Sequence, residues 1–211
     1  MKITILSSLI LLISCKTENK KPEFKENYSL SKQEMLQDFE IFQSIYREAN
    51  AGLYKYRTKH QIDSVFRKNK AEIKDNISYR EFYNILWNVI DYTGSCHNEL
   101  TYPDSLDNHL SKQKIFFPIP LKYLENKIYT NLDYKNIPIG SEIISINDMN
   151  ANQFVTSVGK YVSTDGFNKS GKNIKIETNW LPFYMYLAMG KQNQFDIEYK
   201  AKNTDIIKKS T

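Results

Sequence analysis

The spacing of apolar residues changes at Gly94, and this change constrains the fold more than any other feature of the chain. Before Gly94, apolar residues recur every three or four positions, which is typical of amphipathic helices. After Gly94, they fall in short segments rich in β-branched and aromatic side chains, which is typical of strands. The sequence therefore predicts an α+β protein: a three-helix unit at 30–97, a small strand-rich module at 98–200 and a polar tail at 201–211.

Local signals set the limits of the predicted elements. Ser31 with Glu34, and Ser78 with Glu81, have the spacing of capping boxes, so they mark the first turns of the first and third helices. The second helix is expected at about 59–73. In the module we expect strands at 99–102, 115–119, 121–124, 127–132, 142–146 and 195–199, and helices at 151–161 and 180–189.

The N-terminus indicates export. Lys2 precedes an apolar run of roughly a dozen residues, which is too short for a bilayer span of about 20 residues but fits a secretory signal peptide. The run ends in LISC at 12–15, which resembles a lipobox. We predict a signal peptide at 1–14, lipidation of Cys15 and a flexible tether at 15–29. The protein would then lie in the cell envelope, held by membrane lipid on the periplasmic or surface face of a bacterial membrane. The alternative is a signal peptide cut elsewhere, with no role for Cys15.

Composition argues against several other classes of function. The net charge of +5 comes from scattered lysines without an arginine cluster, so nucleic-acid binding is not expected. Acylation of Cys15 would leave Cys96 as the one free cysteine, so no internal disulfide is expected. Asp104, Asp107 and His109 lie close together but at irregular spacing, which favours a solvated loop over a metal site. We predict neither a metal nor a cofactor.

Four segments together resemble the N-terminal half of the carboxyl-terminal-processing (tail-specific) serine peptidases, in their envelope lipoprotein branch. They are ISYREFY at 77–83, GSCH at 94–97, IPIGSEIISIND at 137–148 and YVSTDG at 161–166. The resemblance implies that the strand-rich part is a PDZ-like module. It also implies that the catalytic serine–lysine domain comes after that module. No Gly-Gly pair and no Gly-x-Ser-x-Gly occurs up to Thr211, so we expect no catalytic residues in this chain.

The resemblance also marks individual positions, with two departures from the family pattern. The positions that match family motifs are His97, Gly140, Asn147, Asp165 and Gly166. The family's usual Gly-His-Thr is replaced by Cys96-His97-Asn98. Asp148 stands where the family has a glycine, and Asp tolerates a left-handed backbone less well than glycine does.

The residues around His97 leave three interpretations open. The favoured one is a structural histidine between the last helix and the first strand. A dyad of His97 with Ser95 or Cys96 would suit nucleophilic catalysis, but sequence neighbours rarely orient their side chains for it. The third interpretation is a role in a larger active site.

The apolar segment 115–124 is the candidate for peptide binding. A PDZ-like module can take up a peptide as an added strand at a sheet edge, and two prolines in the segment fit an edge strand. Ile119 and Leu121 are the candidate apolar contacts, whereas Phe116 and Phe117 are expected in the core.

Three hypotheses about function follow. The first is the non-catalytic N-terminal region of a tail-specific peptidase lipoprotein, inactive alone. The alternative is a stand-alone peptide-binding lipoprotein, whose partners would be unfolded or C-terminal peptide segments. The third is an active serine hydrolase built around His97.

Overall fold

The computed structural model describes residues 30–101, 104–113 and 116–211. The predicted signal peptide, the tether and Cys15 lie outside these ranges. The described chain is an α+β protein, with helices first and an antiparallel sheet after them, so the predicted class is confirmed. In the described ranges, no helix combines the length and the apolar character that crossing a membrane requires.

Three helices come first, and each begins at a capping box. They are α1 (Lys32–Ala49), α2 (Lys59–Ala71) and α3 (Tyr79–Thr93). Ser31, Thr58 and Ser78 each accept a hydrogen bond from the backbone N–H three residues on. The acidic or amide side chain at that position accepts one from the backbone N–H of the capping residue. These reciprocal bonds satisfy backbone donors that a helix start otherwise leaves free. The Thr58 box was not anticipated from the sequence.

The helical unit has its own core, and aromatic rings dominate its centre. Phe39 and Phe66 are almost fully buried, and their rings meet edge-to-face at 6.1 Å. Phe42 and Tyr46 pack on the same cluster. Each buried side chain of this size contributes about 1.5–3 kcal/mol, so this cluster is what holds α1 against α2.

The region between the helices and the sheet differs from the prediction. A short helix of seven residues, α4 (Asp104–Leu110), forms where a solvated loop was expected. Leu106 and Leu110 lie four residues apart and are both buried, which favours a helix. The described parts of the expected strands 99–102 and 115–119 are not strands. Pro118 and Pro120 explain the second case, since proline has no N–H to donate to a sheet ladder.

The sheet is antiparallel, with its strands in the order β1-β2-β3-β5-β6 and β4 paired with β3. The strands are β1 (Leu121–Leu124), β2 (Lys127–Thr130), β3 (Glu142–Ile146), β4 (Met149–Asn150), β5 (Ile197–Lys200) and β6 (Ile207–Ser210). The predicted polar segment 201–211 thus contains β6, a strand that the sequence analysis did not anticipate. β1 is one outer edge of the sheet and β6 is the other.

Helices cover one face of the sheet and close a second core. They are α5 (Ala151–Gly159), α6 (Lys169–Ile174), a 3-10 helix at Lys175–Glu177 and α7 (Leu181–Met189). α7 joins the two cores, because Leu181 and Met185 pack in the sheet core while Leu187 packs in the helical core. The predicted domain limits remain predictions, but α7 shows that the helices and the sheet are packed together.

Candidate functional site

The loop after α3 is held by a close contact with a second loop far away in sequence. Gly94 ends α3 with φ +64°, and its carbonyl accepts a hydrogen bond of 2.8 Å from the N–H of Gly166. The N–H of Cys96 donates to the Asp165 carboxylate at 3.1 Å. We call these four residues the clasp. It brings the family-motif positions His97, Asp165 and Gly166 into one place.

Both glycines of the clasp are required by its geometry. A β-carbon on Gly94 would lie 2.9 Å from the carbonyl oxygen of Gly166, closer than such atoms approach. A β-carbon on Gly166, where φ is +60°, would lie 3.1 Å from the ring of Tyr56. A left-handed φ is also unfavourable for residues that carry a β-carbon. Two independent reasons therefore favour glycine at each position.

Asp165 of the clasp lines one side of an open cleft of about 470 Å³. The end of α1 and the connection to α2 form the opposite wall, through Ile45, Tyr46, Ala49, Asn50, Ala51, Gly52, Lys55 and Tyr56. His97 and Asp165 face this cleft together with Ser95 and Asn98. His97 is exposed, so its ring is accessible to a group that enters the cleft.

The charges in the cleft are distributed so that Asp165 is ionised and Cys96 is not. Hydrogen bonds from the Cys96 backbone and then from its thiol lower the pKa of Asp165, and Lys55 and His97 add to the effect. Desolvation, followed by the bond to Asp165, raises the pKa of the Cys96 thiol. A cysteine acts as a nucleophile in its thiolate form, so this environment works against nucleophilic chemistry at Cys96.

The cleft does not hold a complete catalytic set within the described residues. Ser95 uses its hydroxyl to accept the backbone N–H of His97 at 3.4 Å, which is a local turn contact. No hydrogen bond joins that hydroxyl to the His97 ring in the described part of the chain. Acyl transfer needs a nucleophile, a base and donors for the oxyanion. His97 is a candidate base without an oriented nucleophile.

The other family-motif positions shape the sheet and do not line the cleft. Gly140 has φ +77° in the turn before β3, and its N–H bonds to the carbonyl of Thr130 at 2.9 Å. Asn147 and Asp148 both adopt left-handed φ in the turn between β3 and β4. The Asn147 side chain accepts the N–H of Asp196 at 2.8 Å, which ties this turn to the start of β5.

The candidate peptide contacts lie in the core. Ile119 and Leu121 are only 2% and 1% exposed and pack under the sheet, so their side chains are not accessible to a bound peptide. What β1 offers at the sheet edge is its backbone. Leu124 and Lys127 flank a two-residue turn, so they form a hydrogen-bonded pair across the two strands. Such pairs alternate along an antiparallel ladder, so Lys122 bonds to Tyr129 and the Tyr123 N–H points away from β2.

That outward amide already has a partner inside the chain. The Glu177 carboxylate accepts the N–H of Tyr123 at 3.0 Å and also binds the ammonium group of Lys122. These contacts, with that of Lys122 the larger, lower the pKa of Glu177. The sequence contained no signal for this contact, because 54 residues separate Tyr123 from Glu177. Nothing in the sequence indicated that the residues after α1 line the cleft.

The predicted absence of a metal site remains a prediction. Asp104, Asp107 and His109 lie on α4, and His109 contacts Gln113. No cluster of potential metal ligands occurs among the residues that the structure describes.

Comparison with known proteins identifies the fold. No protein-family model and no curated protein matches the chain. Solved structures do match, among them mature CPAF, with a TM-score of 0.58, and a serine-to-alanine variant of CPAF, with a TM-score of 0.57. CPAF is a chlamydial tail-specific serine protease. The fold of this chain resembles that of part of CPAF. Each match has 12% sequence identity and covers 86% of this chain but only 34% of CPAF, so the chain spans about a third of the length of that protease.

Proposed function

We propose that this chain is the N-terminal, substrate-recognition region of a tail-specific serine peptidase-like lipoprotein, and that it does not cleave peptides by itself. The observation that carries the proposal is the coverage of the fold match, which includes 86% of this chain and 34% of CPAF. A region of that extent corresponds to part of a protease. The cleft agrees with this, since no hydrogen bond joins the Ser95 hydroxyl to the His97 ring in the described part of the chain.

The proposed recognition element is the outer edge of β1 in a PDZ-like module. An antiparallel sheet with α5 packed on one face supports the PDZ-like interpretation, as do the glycine turn at Gly140 and the left-handed turn at Asn147. A polypeptide would add as a strand beside β1, because main-chain hydrogen bonds at an exposed edge give affinity without sequence specificity. Unfolded or C-terminal segments are the matching partners.

His97 supports a second role within the same proposal. Its exposed ring lies beside the ionised Asp165 in an open cleft, where it would act as a general base toward a nucleophile from a serine–lysine domain. Lipidation at Cys15 would place the whole assembly on an envelope membrane, where the polypeptide partners would be exported proteins.

Binding and cleavage are tested separately with one unfolded probe. The purified chain is titrated with reduced, carboxymethylated α-lactalbumin, and the mixture is also followed by gel electrophoresis for fragments. We expect saturable binding without cleavage. Cleavage that disappears in His97→Ala would overturn the inactive part of the proposal. Absence of binding to this probe and to decapeptides with apolar C-termini would overturn the recognition part.

A further inference from the structure

The edge of β1 that the proposed function assigns to polypeptides is partly occupied by the chain's own segment 169–177. This segment consists of α6 and the 3-10 helix, and it packs between β1 and α5. A bound peptide added as a strand would need the same outer edge. The segment therefore competes with any strand that would pair with β1.

Glu177 makes the decisive contact. An added strand would bond to the Tyr123 N–H through a main-chain carbonyl oxygen, as neighbouring strands do. The Glu177 carboxylate oxygen takes that position at 3.0 Å. Lys122 neutralises the carboxylate, and the Glu177 side chain is only 16% exposed, so the bond is shielded from water. Charge-assisted hydrogen bonds of this type are stronger than those between neutral groups.

Few buried apolar side chains hold the segment in place apart from this contact. α6 contributes no buried residue, and Ile176 is the one residue of 169–177 that is buried. Ile174, directly before the 3-10 helix, is 60% exposed. Segments with few buried apolar contacts open at low free energy. The end of the segment, at 174–177, can thus leave the edge without unfolding the sheet.

From this geometry we infer that segment 169–177 is an autoinhibitory latch, with Glu177 closing the β1 edge against extended polypeptides. The inference rests on the proposed recognition function. In the closed state, Glu177 accepts the Tyr123 N–H, so this edge donor is not available to a peptide. In the open state, the amide is free and the strand ladder can extend. A latch of this kind lowers the apparent affinity by the fraction of molecules that are open.

Glu177→Ala removes both the acceptor oxygen and the charge of the latch, whereas Glu177→Gln removes only the charge. Glu142→Ala is the matched control. The Gln variant retains an acceptor oxygen but loses the charge. Glu142 forms an ion pair with Lys127 on the same sheet, away from the Tyr123 amide. The probe is reduced, carboxymethylated α-lactalbumin, with association and dissociation rates measured at constant salt. Hydrogen exchange of residues 121–124 without probe reports whether the edge is uncovered.

We expect Glu177→Ala to bind about tenfold more tightly than the wild type, mainly through faster association, because one charge-assisted bond no longer competes. Glu177→Gln should fall between them, and Glu142→Ala should match the wild type. The Tyr123 amide should exchange faster in Glu177→Ala. If the wild type binds and Glu177→Ala binds equally or less tightly, the latch is rejected while the proposed function stands. If none of the proteins binds, Glu177→Ala included, both are rejected.

Discussion

Gly94→Ala tests whether the clasp holds the two loops together. A residue with a β-carbon at φ +64° costs about 1–2 kcal/mol from backbone strain alone. The new carbon would also lie 2.9 Å from the Gly166 carbonyl oxygen, so the loops must separate. Separation weakens the Gly166–Gly94 bond and the Cys96–Asp165 bond, at about 0.5–1.5 kcal/mol each. We expect a total loss of about 2–5 kcal/mol in the free energy of unfolding.

Gly140→Ala is the matched control for this prediction. Gly140 has φ +77°, but a β-carbon there would meet no atom within 4 Å, so this variant carries the backbone strain without the clash. It should lose about 1–2 kcal/mol. The assay is urea unfolding of both variants and the wild type, with the midpoint and slope compared. Equal losses in the two variants would refute the argument that close approach at the clasp requires glycine.

Three further predictions address the anchor, a helix end and the cleft. Cys15→Ala should move the protein from the membrane fraction to the soluble envelope fraction and abolish acyl labelling. Arg80→Ala should lower the free energy of unfolding by about 1 kcal/mol in urea titration. The Arg80 guanidinium donates at 3.0 Å to the Leu187 carbonyl in the last turn of α7, and the Tyr161 hydroxyl donates to the same carbonyl. Asp165→Asn should speed the reaction of Cys96 with a disulfide reagent at pH values below the pKa of the Cys96 thiol. Removing the carboxylate lowers the pKa of that thiol, so the plot of rate against pH should shift to lower pH.

Each of these predictions has an outcome that contradicts it. An unlabelled Cys15→Ala protein that still sediments with membranes would reject the lipid anchor. A loss for Arg80→Ala no larger than that for an exposed arginine such as Arg67→Ala would show that the bond to α7 contributes nothing measurable. A rate profile in Asp165→Asn that moves to higher pH, or stays in place, would contradict the electrostatic account of the cleft.

Local signals in the sequence predicted local structure well. α1 and α3 begin directly after Ser31 and Ser78, because a capping box needs only residues three apart. β1 and β2 were also expected where they occur, since the Glu125–Asn126 turn between them is short. β6 was missed because its exposed lysines hide the alternation that marks a strand, and its stability comes from pairing with β5.

The candidate site was only partly predictable, because it is built from contacts between distant residues. The resemblance marked His97 and Gly166, but it gave no reason for Gly94 and Gly166, 72 positions apart, to meet. The structural reason is steric, since two backbones touch there and only glycine fits. Ile119 and Leu121 show the opposite case. Their apolar character is equally consistent with a peptide contact and with the core, and burial decides for the core.

The cleft and the β1 edge are connected by one stretch of chain, yet we expect them to vary independently. Segment 163–177 contributes Asp165 to the clasp and Glu177 to the latch. Between them, Asn168 caps α6 through the N–H of Gly171 at 2.8 Å, and Lys172 forms an ion pair with Asp91 on α3. The first contact is local to the start of α6, and the second ties the middle of α6 to the helical unit. Opening at Glu177 should therefore stop at Lys172, and Glu177→Ala should leave the rate of thiol modification at Cys96 unchanged. A changed rate would show that the segment moves as one body and that peptide binding is coupled to the cleft.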